Sequence, residues 1–228
     1  MSGRGSGQCN MIALKVTSPE MEQPPHDSKR EARLLQAAEH ERIVPLIETF
    51  QQAGGRFVLV MPFLPHDLSE LLHQNLVILQ SGKAILRDVF SGLAHLHGLG
   101  IIHRDVKPSN ILLASPTGPA YLTDFGVAWL PSDPGSEPGD EKILDVCTTC
   151  YRPPELLFGN TGYGTSLDQW SAGCVAAQVL CLHGQTLFDA GDLGSELALI
   201  KSMFETLGTP DLEVWPVCTR LSMTYFID

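Results

Sequence analysis

The chain has 228 residues, 43% hydrophobic and 18% charged, with a formal net charge of −11 at pH 7. That length can bury a good core, as one large domain or two lobes, and the acidity, with no basic stripe to neutralise phosphates, argues against nucleic acid as a partner. The longest apolar runs, FVLVMPFL (57–64) and VAAQVLCL (175–182), are far shorter than the roughly 20 residues of a membrane span, so no membrane association is expected.

The polar opening MSGRGSGQCN has no secretory-leader pattern, and residues 1–10 are read as a flexible N-terminus. MIALKV (11–16) alternates as a strand, with Lys15 on one face. After the breaker-rich SPEMEQPPHDS, KREARLLQAAEHE (29–41) has the composition of a helix. IVPLIETF (43–50) and RFVLVMPF (56–63) are strand candidates joined by QQAGG, a hairpin-like connection. The chain then turns helical. In SGKAILRDVFSGLAHLHGLG (81–100), Leu86, Val89, Phe90, Leu93 and Leu96 recur at helical spacing, and Gly98 or Gly100 can end the helix. ILLA and AYL, separated by SPTGP, read as a second hairpin. PSDPGSEPGD (131–140), rich in proline, glycine and acids, reads as a long exposed loop. SLDQWSAGCVAAQVLCLHG (166–184) has a serine cap and is apolar nearly all round, as a buried central helix would be. SELALIKSMFETLG (195–208) sets Leu197, Ile200, Met203, Phe204 and Leu207 on one face, with Gly208 and Pro210 as the stop.

The six cysteines, Cys9, Cys147, Cys150, Cys174, Cys181 and Cys218, are scattered. CTTC (147–150) is half a zinc spacing with no second CxxC or HxxxH, so isolated thiols in a reducing compartment are expected. That places the protein inside the cell, in the nucleus, the cytoplasm or both. His95 and His97, two apart on a helix, do not share a face and make no metal pair.

IIHRDVKPSNILL (101–113) sets charged residues between apolar runs, which is costly unless the charges are paired or have a task. The second hairpin carries HRDVKPSN at its entry and TDFG at its exit, so Asp105, Lys107, Asn110 and Asp124 should converge. A carboxylate and an amide oxygen are hard ligands suited to Mg²⁺, which pairs with phosphates. A second carboxylate, kept off the metal, can take a proton from an attacking hydroxyl, and a lysine two residues on can neutralise a phosphoryl group.

HRDVKPSN, TDFG and YRPPE, in this order, resemble the catalytic loop, metal loop and activation-segment end of eukaryotic protein kinases, and KPSN resembles the Ser/Thr class. The resemblance implies an α+β, two-lobed fold. A small strand-rich N-lobe would cover 11–63, without an evident phosphate-covering Gly-rich loop, and a mainly helical C-lobe would cover 64–228, its last helices missing. The activation segment would span 124–155. It further implies ATP and Mg²⁺ as cofactors, Asp105 as catalytic base, Lys107 steadying the γ-phosphate, and Asn110 and Asp124 holding the metal. Lys15, in IALK, matches the strand lysine that contacts the α/β-phosphates, and Glu31 matches its helix partner; taken alone, each would be an ordinary surface charge. LVMPFL resembles the hinge, with Met61 as gatekeeper and the backbone of Pro62 to Leu64 meeting adenine. Asp168 has two readings: an ordinary acid in a helix's first turn, or the family's acceptor for the catalytic-loop backbone.

CYRPPELLFG, and the stretch from LFDAG to GTPDLEVWP, resemble the cyclin-dependent kinases, in which Arg152 would favour proline after the phosphorylated residue. Three departures stand out. PHDSKRE (25–31) keeps Pro25, Arg30 and Glu31 but loses the small and aliphatic middle of the cyclin-binding helix, which argues against conventional cyclin binding. Ile143 stands where relatives carry an activating threonine, and Trp129 replaces one of three arginines that clasp its phosphate; Arg30 and Arg104 remain. Activity without loop phosphorylation is expected, with Glu141 or Asp145 supplying negative charge, as would suit divergent fungal kinases that phosphorylate other cyclin-dependent kinases. Both ends read as short: GRGSG lies too close to Lys15 to be the Gly-rich loop, and Glu155 would lack its arginine partner. Two functions follow. One is a Ser/Thr kinase acting on protein substrates, proline-directed sites or another cyclin-dependent kinase among them, in cell-cycle or transcription regulation. The other is a truncated, catalytically weak kinase-like domain that binds nucleotide or protein.

Overall fold

The computed structural model describes residues 11–181 and 184–210; the GRGSG run, Cys9, Cys218 and the VWP and TYFID segments lie outside them. β1 (Ile12–Thr17), β2 (Glu48–Gln52) and β3 (Arg56–Pro62) form an antiparallel sheet in the order β1-β3-β2. The register sets Lys15 against Leu59 and Ala13 against Met61. β3 is central and buries Val58, Leu59, Val60 and Met61. β2 starts at Glu48 rather than at Ile43: Pro45 interrupts the apolar run, and Ile43 instead makes a lone bridge to Leu122. The β2–β3 turn needs glycine, since Gly54 and Gly55 have φ of 82° and 74°.

Against this sheet lies α1 (Ser28–Ala37), whose N-terminus is capped by Asp27 accepting from the Arg30 amide at 2.8 Å. Its Leu34 and Leu35, with Ala38 just beyond, face the core. The second sheet, β4 (His66–Asp67), β5 (Ile111–Leu113) and β6 (Ala120–Leu122), contains the expected hairpin, Ile111 pairing with Leu122 and Leu113 with Ala120. The hairpin brings the loops at its two ends together.

The helical lobe comprises α2 (Leu68–His73), α3 (Leu79–Gly98), α4 (Pro154–Leu157), α5 (Ser166–Leu180) and α6 (Glu196–Leu207). α3 buries Ile85, Leu86, Val89, Leu93 and Leu96, while Phe90 points off that stripe and is 44% exposed. In α5, Ser166 is the first helical residue rather than the cap; Thr165 occupies the cap position. The helix is central, burying Leu167, Ala172, Val175 and Val179. α6 is capped by Ser195, whose side chain accepts from the Ala198 amide, but its buried stripe runs through Leu199, Ile200 and Met203, leaving Leu197 and Leu207 at the surface. The apolar residues wrap more than half of that helix, so spacing alone did not select the face.

Residues 131–140 form no helix or strand, as their composition requires, yet they are docked rather than exposed throughout. Asp133 is buried and takes both arms of the Arg33 guanidinium of α1 at 2.7 and 2.9 Å. A small cluster of Ile102, Trp129, Val146, Cys147, Leu156, Tyr163 and Leu167 anchors the chain on either side of the segment, through Trp129 before it and Val146 and Cys147 after it. Among the described residues no helix is long and apolar enough to cross a membrane, and no group of three or more His, Cys, Asp or Glu could hold a metal ion. The four described cysteines, Cys147, Cys150, Cys174 and Cys181, are free.

Candidate active site

Two polar groups flank the β5–β6 hairpin, and their loops are joined where the Thr123 amide donates to the Asn110 carbonyl at 3.1 Å. The first is built on the loop entering β5. Asn110 donates from Nδ2 to both the Asp105 carbonyl and its Oδ2, each at 2.9 Å, and Lys107 Nζ lies 2.8 Å from the same carboxylate. Asp105 Oδ1 accepts from the amide and hydroxyl of Thr148 at 3.1 and 2.9 Å, and that hydroxyl accepts from Lys107 Nζ at 2.7 Å. Asp105 is thereby fixed on both oxygens. Thr148 was not singled out from the sequence, although a hydroxyl residue just before YRPPE was the available signal.

The second group joins three elements. Lys15 Nζ of β1 lies 2.8 Å from both oxygens of Glu31 in α1, and 2.6 Å from Asp124 Oδ1 beyond β6. Burial opposes the Lys15 charge, but the Glu31 and Asp124 carboxylates outweigh it and hold the pKa above the ordinary lysine value. Glu31, with only 2% of its side chain exposed, is pushed upward by burial, which Lys15 offsets only in part. For the more open Asp124, burial is overcome by Lys15 and the pKa falls. A Cβ on Gly126 would lie 3.3 Å from Asp124 Oδ1 and 3.5 Å from Glu31 Oε2, so the glycine lets the backbone pass close beneath both acids.

Asp168, wholly buried in the first turn of α5, supports the loop from below. It accepts from the His103 and Arg104 amides at 2.8 and 2.9 Å, and His97 Nε2 lies 2.8 Å from its Oδ2. The second reading of Asp168 therefore holds, and His97, set aside as no metal ligand, is its partner. His103 is packed and bonded, with Nε2 at 3.0 Å from the Thr123 carbonyl and its ring edge against Phe125. Arg104, Asp124 and Cys147 all have left-handed φ, at 66°, 63° and 65°. Such conformations cost about 1–3 kcal/mol each and persist only where surrounding bonds over-determine them. Here they do: the Cys147 amide donates to the Arg104 carbonyl at 2.9 Å.

Met61, Pro62 and Leu64 lie at and just beyond the end of β3, Met61 buried and the other two half-buried. Met61 and Pro62 belong to the strand that pairs with the one carrying Lys15, Met61 opposite Ala13 and Pro62 opposite Ile12. Arg152 is held by Asp145 at 3.1 Å and by Glu196 at 2.5 Å.

Two lobes, a lysine clamped by a helix glutamate, and a carboxylate braced by lysine, asparagine and threonine define a phosphotransferase architecture. Residues 2–222 match the protein kinase domain family, and the chain belongs to that family. Its homologues include cyclin-dependent kinases. The chain is 35% identical over 218 residues to serine/threonine-protein kinase csk1 of Schizosaccharomyces pombe, covering 94% of this chain and 70% of the relative. It is 38% identical over 194 residues to cyclin-dependent kinase 7 of Xenopus laevis, covering 84% of this chain but only 52% of the relative's length. The crystal structure of the yeast RNA Pol II CTD kinase CTDK-1 complex contains a chain that superposes with a TM-score of 0.80 at 31% identity, over 95% of this chain and 68% of that one.

Proposed function

We propose that the chain is a Ser/Thr protein kinase of cyclin-dependent-kinase type that transfers the γ-phosphoryl of MgATP to protein hydroxyls. The observation that carries this reading is the bracing of Asp105 by Lys107, Asn110 and Thr148 beside the Lys15–Glu31–Asp124 cluster. In it, Asp105 accepts the proton of the attacking hydroxyl, and Lys107 shares its charge between that carboxylate and the incoming phosphoryl group. The oxygens of Asn110 and Asp124 fit Mg²⁺, which takes only one or two protein carboxylates and completes its shell from phosphates and water. MgATP, when bound, supplies the phosphoryl group and the metal charge that offsets its oxygens. Lys15, kept protonated by its two carboxylates, binds the inner phosphates, and the backbone from Pro62 to Leu64 behind Met61 receives the base. Protein Ser/Thr-Pro sites are the proposed substrates, another cyclin-dependent kinase or a transcription substrate among them, inside the cell in nucleus or cytoplasm. Free thiols in every described cysteine suit such a compartment.

The test is transfer from labelled MgATP to a generic Ser/Thr-Pro protein, with Asp105→Asn alongside. The variant should lose about 10²–10⁴-fold, the usual worth of general-base catalysis. Equal activity in both proteins, or none in a folded wild type that binds nucleotide, would defeat the reading and favour a binding module.

A further inference from the structure

Next to the two site acids, the chain buries two arginines. Arg30 precedes Glu31 and Arg104 precedes Asp105; their side chains are 3% and 0% exposed. Burial, with Arg104 nearby, pulls the Arg30 pKa down. Two neighbouring buried cations demand an anion. Glu137 supplies it from the 131–140 segment. Its Oε1 is 2.9 Å from Arg104 Nη1, its Oε2 is 4.0 Å from Arg30 Nη1, and its side chain is 14% exposed. The acids expected to do this lie elsewhere: Glu141 is exposed, and Asp145, 93% exposed, pairs with Arg152.

The surroundings hold Glu137 in place. Trp129, which stands at the third arginine position, donates its indole N–H to the Glu137 carbonyl at 2.9 Å. Lys142 stacks its ammonium over Trp129 and Tyr163, 4.7 and 5.1 Å from the ring centroids. Tyr163 accepts from Arg104 Nη1 at 3.1 Å and donates to the Ile143 carbonyl at 2.7 Å. Arg30 Nη1 donates to the Gly135 carbonyl at 2.8 Å, and Arg33 of the same helix grips Asp133. Arg30 Nε, Arg104 Nη2 and Glu137 Oε2 have no hydrogen-bond partner, so charge rather than a full set of bonds holds the contact.

We propose that Glu137 is a positioning residue that takes the place of an activation-loop phosphate, latching the 131–140 segment across Arg104 and Arg30 so that Asp105 and Glu31 are set without phosphorylation. The reasoning is mechanical. Arg104 sits in a left-handed conformation one residue before Asp105, with Nε donating to the Val127 carbonyl at 2.5 Å, so fixing its side chain fixes the loop. Arg30 sits one residue before Glu31, so fixing it holds α1 inward on Lys15. One carboxylate thus steadies a neighbour of each acid. The activity arm of the test rests on the kinase reading above.

The experiment uses the full chain, phosphatase-treated, with residues 124–155 shown by mass spectrometry to be unphosphorylated. Wild type, Glu137→Gln, Glu137→Asp and Asp105→Asn are compared for kcat and for KM toward ATP and protein. Wild type should stay active. Glu137→Gln should lower kcat about 10- to 100-fold, as expected for losing a buried charge-assisted bond, with KM for ATP little changed. Glu137→Asp should recover much of the loss. Amides of α1 and of residues 131–140 should exchange faster in Glu137→Gln, while those of α5 stay protected. Loss of wild-type activity on phosphatase treatment, unchanged kcat in Glu137→Gln, or equal losses in the Gln and Asp variants would each overturn the proposal. Should Glu137→Gln not fold, Glu137→Asp and the phosphatase comparison decide. An inactive wild type would sink the kinase reading, and the latch would then stand or fall on the exchange pattern alone.

Discussion

Lys15 is clamped by two carboxylates in unlike settings, and the difference predicts how the site fails. Glu31 is almost fully buried, whereas Asp124 keeps 45% of its side chain exposed. Removing the cation therefore strands Glu31 far more than Asp124. Lys15→Met should cost about 1–3 kcal/mol of stability, the usual penalty for a buried acceptor left unpaired, and should abolish phosphoryl transfer. Adding Glu31→Gln should return most of the stability and none of the activity, a coupling that a double-mutant cycle of denaturation midpoints and rates would read. At this scale the motif residues were legible, because Asp105, Lys107 and Asn110 lie within six positions and Asp124 follows one hairpin later. Thr148, His97 and Glu137 were not. Their partners are 43, 71 and 33 residues away in the chain, and no local pattern links them.

Among the elements, two helical glycines play opposite parts. Gly92 lies where α3 crosses β6; a Cβ there would stand 2.9 Å from Leu122 Cδ1 and 3.0 Å from the Arg42 carbonyl. Backbone cannot yield as a side-chain tip can, so Gly92→Ala should destabilise by about 1–3 kcal/mol despite its better helix propensity. Gly173, in the exposed face of α5, meets nothing within 4 Å, and Gly173→Ala should stabilise by about 0.5–1 kcal/mol. Urea unfolding with unchanged m-values would check both. The elements themselves were largely readable. Alternation marked β1 and β3, turn residues marked the β5–β6 hairpin, and helical spacing marked α3. What spacing could not choose was the buried face of α6, or that Phe90 of α3 faces outward. Both depend on which neighbour packs alongside.

For the molecule as a whole, opposed carboxylate shifts shape the dependence on pH. Arg33 first, and Arg104 in the other case against burial, hold Asp133 and Glu137 below their ordinary values of 3.8 and 4.5. The unfolded chain binds their protons more readily, so these acids add stability above those values that is lost as pH falls through the lowered ones. Glu155 runs the other way. Burial among Asn160, Tyr163, Ser166, Gln169 and Trp170 raises it above 4.5, with Ser166 offsetting part, and no cation pairs with it among the described residues. The folded state then holds the proton longer, so its share of stability is present below 4.5 and is lost as pH rises through the raised value. Glu155→Gln should flatten that decline in melting temperatures measured from mildly acidic to neutral pH; an unchanged slope would refute it. The sequence by itself determined the kinase family, the order of the longer helices and of the main strands, and the acids of the candidate site, because each is written in contiguous residues with fixed periods or spacings. Only the tertiary structure decided what steadies that site. The Glu137 latch, the Thr148 brace and the His97–Asp168 support are contacts between distant segments, created when burial forces each charge to find a partner.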